Sequence, residues 1–450
     1  MSIVSSAGFA EFLYSKSLEE IKPESAKQAK LCLMDYLACS SIGETMMRQF
    51  DRQYIDQFRE EGKSGVPFTN IKTDILNAAF LSGVNSHAAE LDDGHRYAAM
   101  HLGASVISAL LALNGSYQLD GMSFIKGVVI GYEAAIRLSV SMQPSHKKRG
   151  FHTTGTCGTV GAAMAVAAAL NYDKNEFVDT LSAALTDAAG LLATNDEGAL
   201  LKPYNAGRAA SAGIRAAFTA KAGLTGRNDF LNTGRGFYHA YADEYVSELL
   251  TAEYDEDRIC TIYRKLYPSC RHSHSAIEAV LKILENNYID INSIEEIQVD
   301  TYDLAVKGHD HRDIVNAASA KMSIPYCLAV AAVDRKLDYL SFNEQKLNDP
   351  QINDLVKKIT VSEDKELSAL TPAIRAASVT IKTKHTSYTD RIDYPKGEPE
   401  NPISENELEE KLYSLGKAAS KNQEILSNII GQIWNLETDY SELIKAIFTA

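Results

Sequence analysis

Apolar residues recur at three-to-four spacing through most of the first 250 positions, the period of a helix with one buried face. "EFLYSKSLEEI" (11–21), "SAKQAKLCLMDYLACSSIG" (25–43) and "TDILNAAFLSGVNSHAAEL" (73–91) all read this way. The second follows Pro23, takes Ser25 as its N-cap and is predicted to end near Gly43. Alanine-rich stretches at 156–170, 177–193 and 206–222 predict helices that approach one another closely. In "GTCGTVG", Gly155, Gly158 and Gly161 recur every three residues. The spacing differs from a dinucleotide-binding fingerprint and no strand precedes it, so the run predicts a tightly packed helix start.

The pattern changes after about Asp257. "SIEEIQVDTYDLAV" alternates and predicts a strand, "DPQINDLVKKITVSED" a helix running into a strand, and "ASVTIKTKHTSYTDRIDYP" two strands joined by a turn. Apolar helical stretches at 275–286 and 319–333 lie between them. "YPKGEPENPIS" then breaks the chain, and "ENELEEKLYSLGKAASKN" and "QEILSNIIGQIWNLETDYSELIKAIF" return to helical spacing. The predicted fold is mainly α: a helical domain over 1–256, an α+β domain over 257–395, and C-terminal helices over 396–450 that rejoin the first.

At 450 residues the chain exceeds what one core usually serves. The net charge of −14 argues against nucleic-acid or membrane-surface partners, so an anionic substrate needs a local basic site. Six scattered cysteines without a CxxC pair fit a reducing compartment. The N-terminus lacks a basic segment followed by an apolar one, and "GAAMAVAAAL" is too short to span a bilayer. A cytoplasmic location is the expectation.

Four polar clusters each stand just before a helical stretch. "DDGHRYAAMHLGA" precedes "SVISALLAL", and "RGFHTTGT" places His152 ahead of "GAAMAVAAAL". "LLKPYNAGR" places Lys202 ahead of "AASAGIRAAFTAKA", and "YPSCRHSHS" precedes "AIEAVLKILENN", with Ser275 and Glu278 as a capping box. A helix start offers unpaired N–H groups and partial positive charge. His101, His152, Lys202 with Arg208, and Arg271 with His272 and His274 add cations or proton carriers. Converged, they would form a pocket for a small polycarboxylate. Each has a structural alternative: Asp92 and Asp93 could cap a helix or turn, Arg208 could form an ion pair, His274 could be packed, and Cys270 could be a small buried residue. "GHDHRD" (308–313) contains the His-Asp pair of some metal-dependent hydrolases but falls in a predicted loop without further ligands.

Five segments in order, "HAAELDDGHRYAAMHLGA", "GFHTTGTCGTVGAA", "KPYNAGRAASAGIRAAF", "YPSCRHSHSAIEAV" and "ASAKMSIPYCLAVAAVDRKL", resemble the signatures of the MmgE/PrpD family over nearly the whole chain. The resemblance implies a large all-α domain formed by both chain ends, a smaller inserted α+β lid, a homodimer, a small di- or tricarboxylate substrate, and no metal or organic cofactor. It places catalytic roles on His101, His152, Lys202, Asp92 and Asp93. Arg208, Tyr204, Arg271, His272, His274, Glu90 and Cys270 become substrate-binding candidates. The chain departs from the family's cis-aconitate decarboxylase pattern at two positions: Glu90 stands for an Asp, and Cys270 for an active-site His. The loop between Asp93 and His101 is also one residue longer. The expected activity is a cofactor-independent hydro-lyase like 2-methylcitrate dehydratase. An epimerase or decarboxylase of the same family, or a homologue that binds a carboxylate without turning it over, are the alternatives.

Overall fold

The computed structural model describes residues 3–58, 62–195 and 199–449, and it is mainly α-helical. Cα packing divides the chain into two units. The first comprises Met1–Leu192, Leu201–Tyr263 and Ser404–Ala450; the second comprises Ala193–Leu200 and Arg264–Ile403. No helix among the described residues is long and apolar enough to cross a membrane.

The first unit is built around helices with no polar face. Every residue of Thr153–Ala169 and of Gly103–Ala112 is buried. Such helices belong in the centre of a large core rather than at its rim. Helix Thr153–Ala169 packs between Gly121–Val140 and Lys202–Lys221, and the latter also packs on Ile75–Ala88. Small residues make these approaches possible. A Cβ on Gly161 would stand 2.8 Å from the Cβ of Ala135 and 2.9 Å from the carbonyl oxygen of Gly131. The glycine run is therefore a packing device. The C-terminal helix Glu405–Ala418 lies against Pro23–Ile55.

Helix Pro23–Ile55 corrects two expectations. It continues well past Gly43, whose hydrogen in place of a side chain admits the carbonyl of Asn85; a Cβ there would lie 1.8 Å from that oxygen. Its N-cap is Lys22, and the Ser25 hydroxyl instead donates to Asp257 at 2.6 Å. Two other ends move as well. The helix predicted to reach 193 stops at Asp187, and the one predicted from 206 starts at Lys202. Pro203 is tolerated there because a first-turn N–H has no intrahelical acceptor to lose.

The second unit contains a four-stranded sheet in the order Ile359–Glu363, Ile294–Thr301, Ala377–Thr383, Ser387–Ile392. The first pair is parallel, in register at Ile297 and Ile359, and the other two are antiparallel. Ile297, Val299, Ile359, Val379 and Ile381 enter the unit's apolar core. Helix His274–Asn286 packs on the last two strands, and Ile324–Asp334 packs on that helix and on Ile359–Glu363. The predicted capping box does not form. The Ser275 hydroxyl donates to the carbonyl of Arg375, the Glu278 carboxylate accepts the N–H of Lys396, and Ser273 holds the cap position with its hydroxyl turned back to the Cys270 carbonyl. The predicted strand "SIEEIQVDTYDLAV" stops at Thr301, after which Asp303–Val306 forms one helical turn.

Candidate active site

The acidic loop connects helix Ile75–Ala88 to helix Gly103–Ala112. It is held by backbone bridges, Gly94 with Tyr263 and His95 with Met100. Gly94 is required by space, since a Cβ would meet the Tyr263 hydroxyl at 2.4 Å. Two non-glycine residues, Glu90 (φ 58°) and Ala99 (φ 50°), adopt left-handed backbone conformations. Such strain persists only where the surroundings over-determine it. Buried Lys411, from the C-terminal helix, supplies one such constraint. Its ammonium bonds Asp35 at 2.6 Å and the Leu91 carbonyl at 2.9 Å.

The two aspartates separate in role. Asp93 closes the start of helix Gly103–Ala112, accepting from the N–H of Gly103 at 3.0 Å and the Tyr132 hydroxyl at 2.5 Å. Burial, with the nearby Asp35 charge, pushes its carboxyl up to about 6, against the pull of those donors. The capping alternative therefore describes Asp93. Asp92 Oδ2 instead accepts from Nδ1 of His87 at 2.8 Å and lies 3.4 Å from Nδ1 of His101. His87 is a polar residue that periodicity alone assigns to the core. Its signal was its place three and five residues ahead of Glu90 and Asp92.

The hydrogen bonds assign the tautomers of the other two histidines. His101 Nδ1 is 2.7 Å from the backbone carbonyl of Asp93. A carbonyl only accepts, so Nδ1 carries a proton, and in the neutral ring Nε2 holds the lone pair. His152, the N-cap residue of Thr153–Ala169, is reversed: its Nδ1 accepts from the Asn205 amide at 2.9 Å, so Nε2 carries the proton. Burial and then the Lys202 charge hold His152 well below the ordinary histidine range, so its ring is neutral. The His87 ring centre lies 4.7 Å from that of His101 and 6.5 Å from that of His152.

Lys202 opens its helix and points its ammonium at the Glu90 carboxylate, 2.6 Å away. Both side chains are nearly buried, so the pair is desolvated and each charge needs the other. The first unit thus gathers His101, His152, Lys202, Glu90, Asp92 and Asp93, and adds His87 and Asn205. His87, Asp92 and His101 present potential ligand atoms within 4.8 Å of one another, close enough to hold a metal ion. Both Nδ1 atoms, however, carry protons directed at oxygen acceptors. Metal ligation through them would require both rings to change tautomer and give up those bonds.

The remaining candidates are placed differently. Arg208 bonds the carbonyls of Asp187, Gly155 and Ala189 and the Thr159 hydroxyl, joining three backbone segments. Tyr204 lies about half exposed and edge-on against Phe80, with no polar partner among the described residues. In the second unit, buried Arg271 is committed to Glu398, the carbonyls of Lys396 and Pro395, and Nδ1 of His274. Its donors close the 395–398 turn. His274 is fully buried against Tyr267, as its packed alternative proposed. His272 Nδ1 pairs with the Tyr302 hydroxyl at 2.6 Å, and Cys270 with His309 at 3.1 Å. His311, the other histidine of "GHDHRD", bonds the Ser319 carbonyl.

One histidine outside these clusters sets a pH dependence. His146 is fully buried, stacked on Phe151, and its Nδ1 donates to the Tyr241 carbonyl. Burial holds its pKa down at about 4, against 6.5 for the free side chain. The folded chain therefore refuses a proton that the unfolded chain takes. The stability conferred by the neutral ring is present above pH 6.5 and is lost as pH falls toward 4, by roughly 3 kcal/mol at most. Asp51 and Asp93, pushed up by burial to about 7 and about 6, act with the opposite sign. Comparison with His146→Gln isolates the histidine. In urea titrations, the parent's advantage over the variant is expected to shrink between pH 6.5 and pH 4. A constant difference over that range would refute the assignment.

Comparison with known proteins agrees with the fold. The MmgE/PrpD N-terminal domain family matches residues 7–249 and the MmgE/PrpD C-terminal domain family matches residues 267–436. The cis-aconitate decarboxylase-like protein oryM of Aspergillus oryzae is 26% identical over 460 residues, covering 95% of this chain and 94% of that protein. The cis-aconitate decarboxylase of Aspergillus terreus is 24% identical over 466 residues, covering 95% and 93%. The Homo sapiens cis-aconitate decarboxylase is 24% identical over 453 residues, covering 95% and 91%.

Proposed function

Since the chain belongs to the MmgE/PrpD family of enzymes, we propose that it transfers protons at the carbon next to a carboxylate in a small di- or tricarboxylate, with dehydration as the net reaction. The observation that carries this reading is the opposed tautomers of His101 and His152. His101 presents a basic Nε2, with its Nδ1–H held by the Asp93 carbonyl and faced by the Asp92 carboxylate. The carboxylate stabilises the imidazolium that forms when Nε2 takes a proton. Negative charge then develops on the substrate carboxylate. The His152 Nε2–H, the Lys202 ammonium and the first-turn N–H groups of Thr153–Ala169 are the donors suited to it. His152 acts as a neutral hydrogen-bond donor, because its suppressed basicity keeps it from carrying a second proton. The His101 imidazolium returns its proton to the departing hydroxyl, closing the cycle on one residue.

Decarboxylation is the second reading, favoured by the names of the relatives. The same groups serve it in reverse order: carbon dioxide leaves first, and the His101 imidazolium protonates the resulting carbanion. The two reactions need opposite starting states of one imidazole. Dehydration therefore gains as pH rises, and decarboxylation loses. We place the reaction in a homodimer in the cytoplasm, without a metal or organic cofactor.

An NMR screen of small di- and tricarboxylates in deuterated water tests the proposal. Loss of water with deuterium exchange beside a carboxylate is expected. Release of carbon dioxide would select the second reading, and absence of any turnover across the panel would overturn both.

A further inference from the structure

The second unit holds a thiol–imidazole pair that the proposed reaction does not use. Cys270 Sγ lies 3.1 Å from Nε2 of His309, the first histidine of "GHDHRD". His309 Nδ1 is 3.0 Å from the Lys307 carbonyl, so it carries the ring proton and leaves Nε2 to accept from the thiol. That carbonyl holds the ring in place through the proton transfer and stabilises the imidazolium. His272 stands edge-on to His309, ring centres 5.1 Å apart, and is anchored by the buried Tyr302 hydroxyl. Cys270 stands at the backbone entry to the turn Arg271–Ser273, which leads into helix His274–Asn286.

The other thiols lack this setting. Cys32, Cys39, Cys157 and Cys327 are buried. Burial pushes Cys157 up to about 12 and half-buried Cys260 up to about 11. Cys270 is half-buried and faces a base. We propose that Cys270 is a nucleophilic, oxidant-sensitive thiol activated by His309, open to modification by peroxide and by soft carbon electrophiles. The thiol proton passes to Nε2 of His309. With hydrogen peroxide the thiolate forms an S–O bond as the O–O bond breaks. Sulfur is oxidised by two electrons to a sulfenic acid, and the departing hydroxide takes the proton from His309 as water. With iodoacetamide the thiolate forms a C–S bond and iodide leaves.

The test is timed iodoacetamide labelling of the folded full chain at pH 7, read by peptide mass spectrometry. Cys270 is expected to react about tenfold or more faster than Cys260. His309→Gln is expected to slow Cys270 about tenfold at pH 7, leave Cys260 unchanged as the control for folding, and lose its effect near pH 10, where the thiol ionises unaided. Dimedone added after peroxide is expected to mark Cys270. Labelling of Cys270 no faster than Cys260, or a Cys270 rate insensitive to His309→Gln at pH 7, would overturn the proposal.

Discussion

His101→Gln is expected to lower kcat by about three orders of magnitude while leaving the fold intact, within the range that a positioned general base contributes. The glutamine amide can still donate to the Asp93 carbonyl, so the loop keeps the bond now made by Nδ1. It cannot take a proton, so deuterium exchange into the substrate carbon disappears together with net turnover. His152→Gln retains an N–H donor and is expected to lose only about ten- to a hundredfold, in keeping with a donor rather than a base. The pair of variants therefore separates the two roles. A His101→Gln enzyme that keeps kcat within tenfold of the parent and still exchanges deuterium would remove His101 from the mechanism.

Lys202→Ala is expected to cost about 3–5 kcal/mol in unfolding free energy, because it strands a buried carboxylate. Glu90 has a nearly buried side chain and approaches the ammonium to 2.6 Å. Adding Glu90→Gln removes the uncompensated charge, and most of the stability should return. Turnover should not return, since the substrate carboxylate would still lack its cation. Urea unfolding and a turnover assay on the single and double variants distinguish the outcomes. A double variant as unstable as the single would break the link between the two residues. A stable and active double variant would leave Lys202 with a structural role alone.

Much of the framework was legible along the chain. The helical period, the Pro/Gly breaks and the change to alternation after Asp257 placed the elements, because helix and strand formation depend on residues within a few positions. The same local logic put His101, His152, Lys202 and Cys270 beside helix starts. It failed at Gly43 and Ser25, where a neighbouring carbonyl or a distant aspartate overrode the local signal. It also treated all cationic residues near helix starts alike. Arg208 meets backbone carbonyls, Arg271 meets carbonyls and the Glu398 carboxylate, and Lys202 meets the Glu90 carboxylate.

By itself the sequence determined the family, the mainly α fold and the inventory of proton carriers, since each is written in short-range pattern or in ordered motifs. Only the tertiary structure decided which partner each buried polar group meets. Lys202 finds Glu90 across 112 positions, Lys411 finds Asp35 across 376, and Asn205 sets the tautomer of His152 across 53. A desolvated charge or imidazole takes its state from the groups desolvated with it. Those groups are neighbours in space, brought together by helices that small residues allow to touch.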